Sequence, residues 1–183
     1  MSRSSKLQRK TKETDIRVGL LLEGAGKATI DVDDQFLTHM LESLAKYSSF
    51  DITVNAKGDN EHHLIEDVAI VLGMALREAL GDAPIERIAS ATVPMDDALV
   101  TVTIDLIDRP YVDIDCPEPL YHHFLRSFAM SSGMTLHVLA IRGFDSHHIV
   151  EASIKALGLA LRSAVRPRET LLSTKSKPRV RKS

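Results

Sequence analysis

The chain has 183 residues, 44% of them hydrophobic and 4% aromatic, a size that fits one ordinary domain or two fused small halves. Its single cysteine, Cys116, excludes an intrachain disulfide, and no stretch approaches 18 consecutive apolar residues, so we expect a cytoplasmic protein without a membrane partner. The net charge of −2 hides an acidic body: residues 13–165 hold 11 basic and 24 acidic residues. Such a body suits cations and repels nucleic acid, which only the basic tails could bind, so we expect no nucleic-acid partner.

The first part of the chain alternates predicted strands and helices. Apolar residues at every second position indicate strands, and apolar residues at helical spacing indicate helices. In chain order we predict two strands, a helix, a strand and a long helix over residues 16–22, 27–32, 35–44, 51–56 and 61–80. Asp34 is placed to cap the first helix, and Gly81 follows the last residue of the second one.

The second part of the chain repeats the same order. We predict its strands and helices over residues 99–106, 111–114, 120–132, 135–142 and 146–165. The order β-β-α-β-α therefore occurs twice, which predicts an α+β fold of two duplicated halves. We expect pseudo-twofold packing to join the two sheets and to place the two long helices side by side.

Identical residues in the two parts support the duplication. The segment HHLIE at 62–66 recurs as HHIVE at 147–151, 85 positions later, and Gly73 and Gly158 match in the same register. We therefore divide the chain into a basic N-terminal tail, a first half, a second half and a basic C-terminal tail, at residues 1–12, 13–92, 93–166 and 167–183.

Each HHxxE segment holds the donors of a metal site. Residues three or four positions apart share a helix face, so each glutamate can cooperate with a histidine of its own segment. Adjacent histidines diverge by about 100°, so each pair should serve two ions, and each ion should take ligands from both copies. Imidazole with carboxylate suits Mn, Fe, Co, Ni or Zn. His39 and His137 could complete the shells, so the candidate ligands are His39, His62, His63, Glu66, His137, His147, His148 and Glu151.

Another histidine pair opens the helix predicted over 120–132. His122 and His123 have no glutamate three or four positions later. We therefore interpret both as structural or surface side chains rather than as ligands.

Several motifs, in order and together, resemble the imidazoleglycerol-phosphate dehydratase family. In chain order these are Arg9, TKETDI at 11–16, FLTHML at 36–41, the two HHxxE segments, PMDDAL at 94–99, RPY at 109–111, TLH at 135–137, Lys155 and STK at 173–175. The resemblance covers about residues 9–176.

The resemblance implies a fold, a cofactor and an assembly. A member of this family would have a duplicated fold like the second domain of ribosomal protein S5, in α/β/α layers. It would bind two Mn(II) ions per active site through the eight candidate ligands. It would form a homo-oligomer of 24 subunits with active sites between subunits.

The resemblance also implies a reaction, the removal of water from imidazole glycerol phosphate to give imidazole acetol phosphate in histidine biosynthesis. The substrate's imidazole ring would serve as the electron sink, stabilised by the cations, while a carboxylate moves protons. Catalysis would fall to Glu13, Glu151 and Lys155, and phosphate binding to Arg87, Arg109, Ser173 and Lys175.

Some residues depart from the family pattern, namely Thr38, Ser43, Tyr47, Leu64, Ile107, Asp108, Asp145 and Ser176. These departures spare all eight ligands but change the surroundings of the metal and phosphate sites. Two alternatives therefore stay open. One is a dimetal enzyme of the same fold acting on another phosphorylated substrate, and the other is a non-catalytic oligomer assembled by metal.

Structural interpretations also exist for individual residues. Arg109 could pair with Asp105 or Asp108 instead of binding phosphate. Asp96 and Asp97, which follow a proline, are typical of a turn.

Overall fold

The structure, a computed structural model, describes residues 2–172, and each half follows the order β-β-β-α-β-α. The first half consists of β1 (Ser4–Lys10), β2 (Thr14–Leu21), β3 (Ala28–Asp31), α1 (Gln35–Ser48), β4 (Asp51–Gly58) and α2 (Glu61–Leu80). The second half consists of β5 (Ile88–Met95), β6 (Ala98–Asp105), β7 (Tyr111–Ile114), α3 (Pro119–Ser132), β8 (Thr135–Arg142) and α4 (Ser146–Ala164). The duplicated α+β fold is confirmed. Among the helices of residues 2–172, a membrane span is not found.

Each half builds its own four-stranded sheet. The strand orders are β1-β2-β4-β3 and β5-β6-β8-β7, and in both sheets only the last pair is parallel. The registers repeat as well, since Val18 pairs with Val54 in the first sheet and Val102 with Val138 in the second. The two sheets are separate, so the prediction that they join is wrong.

The two strands that the sequence pattern did not indicate, β1 and β5, are edge strands. In β1 only Ser5 is buried, while Lys6 and Lys10 are exposed, and such a polar pattern is hard to tell from a tail. The prediction of an N-terminal tail over residues 1–12 is therefore wrong for Ser4–Lys10, which form β1. The boundary predicted between residues 92 and 93 falls inside β5, so the second half begins earlier in the chain.

The helices lie between the two sheets. Helices α1 and α2 cover the inner face of the first sheet, α3 and α4 cover that of the second, and the halves meet where α2 packs on α3 and α1 on α4. Each sheet has one apolar face, because every second residue of β2 and β6 is buried, and these two faces enclose the helices. The layers run sheet, helices, sheet, so the predicted α/β/α layering is wrong. Each long helix packs on the short helix of the other half, α2 on α3 and α4 on α1.

Two glycines allow the helices to cross closely. A Cβ atom at Gly73 would lie 2.5 Å from the carbonyl oxygen of Phe128, and one at Gly158 would lie 2.8 Å from the Cβ of Tyr47. A larger side chain would push α3 away from α2, or α1 away from α4. Because the two glycines occupy matching positions of the duplication, both helix pairs cross in the same way.

One continuous core fixes the halves against each other. Leu72 and Leu76 of α2, Phe128 of α3 and Leu161 of α4 are each 1% exposed. Burying a side chain of this size contributes about 1.5–3 kcal/mol relative to leaving it in water. This packing determines which side chains of the two halves meet at the ends of the helices.

Candidate metal centre and active site

The histidine pairs lie in the first turns of α2 and α4. Each helix begins with a side-chain cap: Asn60 accepts a hydrogen bond from the backbone N–H of His63 at 2.9 Å, and Asp145 accepts one from that of His147 at 2.8 Å. The ring planes meet at 79° in the first pair and at 85° in the second. Neighbouring imidazoles therefore face different directions, as expected for adjacent residues of a helix.

The first cluster consists of His62, Glu66 and His123. Oε2 of Glu66 is 3.7 Å from Nε2 of His62, and Oε1 is 3.1 Å from Nε2 of His123. One donor atom from each residue lies within 4.8 Å of the others, a spacing that fits a single cation. The prediction that His123 lacks a glutamate partner is therefore wrong, because the fold brings α3 of the other half against α2.

The second cluster consists of His39, His147, Glu151 and Lys155. Glu151 is 8% exposed, and its Oε1 atom is 3.4 Å from Nε2 of His39 and 2.7 Å from Nζ of Lys155. Its Oε2 atom is 3.7 Å from Nε2 of His147. Burial acts to raise the pKa of Glu151, but the Lys155 ammonium and His39 outweigh burial and hold this pKa below its ordinary value.

The second histidine of each pair is oriented by an aspartate. Nδ1 of His63 is 2.8 Å from Oδ1 of Asp59, and Nδ1 of His148 is 2.5 Å from Oδ1 of Asp97. These hydrogen bonds raise the pKa of both imidazoles above the ordinary value, and His148 with two backbone N–H groups lowers the pKa of Asp97 to about 2. Because a carboxylate occupies Nδ1, Nε2 is the nitrogen that each ring offers to a cation.

Glu13 lies beside the first histidine pair, in the turn between β1 and β2. Its carbonyl oxygen accepts a hydrogen bond from the backbone N–H of Asp59 at 3.0 Å, which fixes the turn near the start of α2. Its carboxylate is 57% exposed, with Oε2 3.9 Å from Nδ1 of His63. The side chain can therefore reach a molecule bound at that pair.

His137 lies apart from both clusters. It projects from the outer face of β8, where Nδ1 is 3.9 Å from Oδ2 of Asp113 and the ring centroid is 5.5 Å from that of Tyr111. Within residues 2–172, no hydrogen bond, ion pair or ring contact joins His137 to either cluster, or one HHxxE pair to the other. One chain therefore forms two separate clusters, and the predicted sharing of cations between the two HHxxE copies does not occur within it.

The family model for imidazoleglycerol-phosphate dehydratase matches residues 33–161, a range that includes both clusters. The chain belongs to the imidazoleglycerol-phosphate dehydratase family. It is therefore an enzyme, a hydro-lyase. The matched range contains all eight candidate ligands, whereas Glu13 and the STK motif lie outside it.

Relatives and solved structures of this family align with most of the chain. The imidazoleglycerol-phosphate dehydratase of Kineococcus radiotolerans is 46% identical over 91% of this chain and 93% of its own, and that of Bacillus subtilis is 44% identical over 88% and 91%. The crystal structure of the Pyrococcus furiosus enzyme in complex with (S)-C348 has a TM-score of 0.83 at 40% identity, covering 92% of this chain and 98% of that one. The Staphylococcus aureus enzyme has a TM-score of 0.80 at 28% identity, covering 90% and 99%.

Arg87 and Arg109, which the dehydratase resemblance assigns to phosphate, both lie near Asp105. Arg87 has a left-handed backbone, with φ of 68°, and its Nε atom is 2.8 Å from Oδ1 of Asp105. Burial raises the pKa of Asp105, against the opposing effect of the Arg87 and Arg109 guanidinium groups. Arg109 itself is exposed. Ser173 and Lys175 lie outside the described residues.

Two departures from the dehydratase pattern have defined partners. Asp108 forms an ion pair with Arg77 at 2.7 Å, so its charge is already matched. The Tyr47 ring centroid is 5.7 Å from Nζ of Lys155, a distance at which an aromatic face attracts an ammonium group. Tyr47 is thus a departure that touches the second cluster directly.

Proposed function

We propose that the chain dehydrates imidazole glycerol phosphate to imidazole acetol phosphate, in histidine biosynthesis and in the cytoplasm. The family match over residues 33–161 is the observation that carries this proposal. It is supported by the clusters inside that range, which provide carboxylate and imidazole donors at the ends of two helices.

The same proposal includes two Mn(II) ions per active site, bound by His39, His62, His63, Glu66, His137, His147, His148 and Glu151. The donor set fits such a cation, because imidazole and carboxylate suit first-row divalent metals. Each cluster glutamate faces imidazole nitrogens with both of its oxygens, at 3.1–3.7 Å. When bound, the cations supply Lewis-acid stabilisation of the substrate's imidazole ring.

Glu13 is the proposed proton carrier. Its Oε2 atom lies 3.9 Å from the His63 ring, so it can reach a carbon next to an imidazole ring bound there. A positioned carboxylate that accepts or donates a proton accelerates a reaction by about 10²–10⁴-fold. Removal of a proton from carbon and departure of hydroxide, together one molecule of water, leave an enol, which becomes the product ketone.

Glu151 and Lys155 are proposed to act together. The Lys155 ammonium keeps Glu151 ionised and is 15% exposed, so it presents limited surface to a bound substrate. A cation in this position can donate a hydrogen bond to a hydroxyl group of the substrate while Glu151 remains available as an anionic ligand.

The phosphate group is assigned to Arg87, Arg109, Ser173 and Lys175. Asp105 supports the role of Arg87, because an ion pair at Nε orients the guanidinium group and leaves its two terminal nitrogens for phosphate. The assignment of Ser173 and Lys175 rests on their motif alone.

We also propose a homo-oligomer of 24 subunits with active sites between subunits. His137 supports inter-subunit sites, because it projects from the outer face of the second sheet, away from both clusters of its own chain. The same face exposes Tyr111, Leu139 and Ile141 by 54–56%, and contiguous apolar surface of this kind marks protein contacts.

The test is turnover of imidazole glycerol phosphate by the Mn(II)-loaded protein, with the chelated protein as control. Imidazole acetol phosphate should form only in the loaded sample. Absence of product from protein with a full metal content would overturn the proposed substrate. It would favour the alternative of a dimetal enzyme for another phosphorylated substrate, which Tyr47 beside Lys155 motivates.

A further inference from the structure

His39 and His123 occupy equivalent positions of the duplicated fold. Helices α1 and α3 both have 14 residues, and they follow the third strand of their halves. Each of the two histidines is the fifth residue of its helix. His39 is a candidate ligand, whereas His123 has no assigned role.

The two histidines also make equivalent contacts across the halves. Nε2 of His39 is 3.4 Å from Oε1 of Glu151, and Nε2 of His123 is 3.1 Å from Oε1 of Glu66. In both clusters, the remaining oxygen of the glutamate is 3.7 Å from the first histidine of its own helix. Two imidazoles, one from each half of the chain, therefore flank the glutamate in both clusters.

We propose that His123 is a ligand of the cation held by His62 and Glu66, as the counterpart of His39 in the other cluster. The inference rests on the proposed metal binding and adds a residue to it. Its ring lies 4.9 Å from the His62 ring, and the three donor atoms lie within 4.8 Å of one another. Imidazole–carboxylate–imidazole is a donor set that divalent first-row metals favour.

The two clusters differ in one charge. Lys155 contacts Glu151 in the second cluster, and the matching position of α2 is Ile70. Glu66 therefore has no lysine beside Oε1, and His123 occupies that side alone among the described residues. Among residues 2–172, Glu66 forms no ion pair with a lysine or an arginine, so the first cluster should bind the tighter of the two ions.

A direct test locates the ion in crystals of the full-length protein loaded with Co(II). Anomalous scattering at the cobalt edge should place an ion about 2.1 Å from Nε2 of His123, the length of a bond from a metal to imidazole nitrogen. An ion bound by Glu66 while His123 remains out of bonding reach would overturn the inference. His123 would then be only a hydrogen-bond partner of that carboxylate.

A solution measurement uses two matched variants of α3. His123→Gln should weaken one of two Co(II) sites by about 10–100-fold in competition with a chelator, and His122→Gln, one position away, should leave both unchanged. Unchanged affinity in His123→Gln would also overturn the inference. If the unmodified protein dehydrates its substrate in that case, the proposed function survives. Failure of the unmodified protein to bind metal would instead overturn the proposed function itself.

Discussion

The carboxylate of Asp97 lies 2.5 Å from Nδ1 of His148. The same carboxylate accepts hydrogen bonds from the backbone N–H groups of Phe144 and Asp145, at the start of α4. A φ of 47° at Asp96 agrees with the turn that the sequence indicates. The Asp97 side chain therefore fixes both the beginning of α4 and the orientation of the His148 ring.

In metal-free protein, Asp97→Asn should lower the melting temperature most between about pH 4 and about pH 6.5. The pKa of Asp97 is lowered from 3.8, so its stabilising contribution is present above 3.8 and is lost as the pH falls towards about 2. The pKa of His148 is raised from 6.5, so its contribution is complete below 6.5 and is lost as the pH rises through the higher folded value. Melting curves in chelator across this pH range provide the measurement.

The control for this prediction is Asp33→Asn, a change at an exposed aspartate. It should leave the melting temperature nearly unchanged at every pH. An Asp97→Asn effect of equal size at all pH values would show that the ion pair with His148 does not stabilise the fold.

Gly73→Ala should destabilise the protein by about 1–3 kcal/mol, the usual range for adding a methyl group to a tightly packed contact. The added Cβ would lie 2.5 Å from the Phe128 carbonyl oxygen, so α3 must move. Gly19→Ala is the matched control, because its added Cβ would meet Thr53 at an ordinary 3.5 Å. Urea unfolding measures both variants. Equal stability of the two would contradict the close helix crossing.

Glu13→Gln should reduce turnover by about 10²–10⁴-fold while metal content and particle size stay unchanged. The side chain is 57% exposed, so loss of its charge should not disturb the fold. Glu42→Gln, at an exposed position of α1, provides the control. Full activity in Glu13→Gln would remove Glu13 from the mechanism.

Lys155→Met should shift metal binding at the second cluster to higher pH. The Lys155 ammonium helps to lower the pKa of Glu151, so its removal lets that carboxylate take up a proton at a higher pH. A protonated carboxyl group is a poor ligand, so half-saturation with Mn(II) should be lost earlier as the pH falls. Binding titrations over a pH series test this. Lys46→Met, on the exposed side of α1, should keep the pH dependence of the unmodified protein.

Chelation should break the proposed large particle into smaller oligomers. If His137 binds a cation together with ligands of a neighbouring subunit, removing the cation removes a contact between subunits. Light scattering before and after chelation, followed by addition of Mn(II), measures the change and its reversal. A particle of constant size would place the metals away from the subunit contacts.

The sequence predicts those features that depend on nearby residues. The helices that begin at Glu61 and Ser146 follow from apolar spacing, and the divergence of adjacent histidines follows from helix geometry. The edge strand β1 was missed because its side chains are mostly polar, and a polar strand gives little periodic signal.

Contacts between the halves could not be read from sequence spacing. Glu66 meets His123 only because α2 crosses α3 closely at Gly73, and that packing involves residues far apart in the chain. A comparison of equivalent positions was the available signal, since His123 stands where His39 stands in the first half. For the same reason, Asp97 could be placed in a turn but not against His148.

The exchange of donors between halves bears on how such a protein could arise. Glu66 contacts His123 of the second half, and Glu151 contacts His39 of the first half. Neither half alone therefore contains all the donors of a cluster. An ancestral chain of half the length would have gained the set only by pairing with a copy of itself. Gene fusion would then have joined the two copies of a symmetric dimer into one chain, and one copy could acquire Lys155 without imposing that charge on the other.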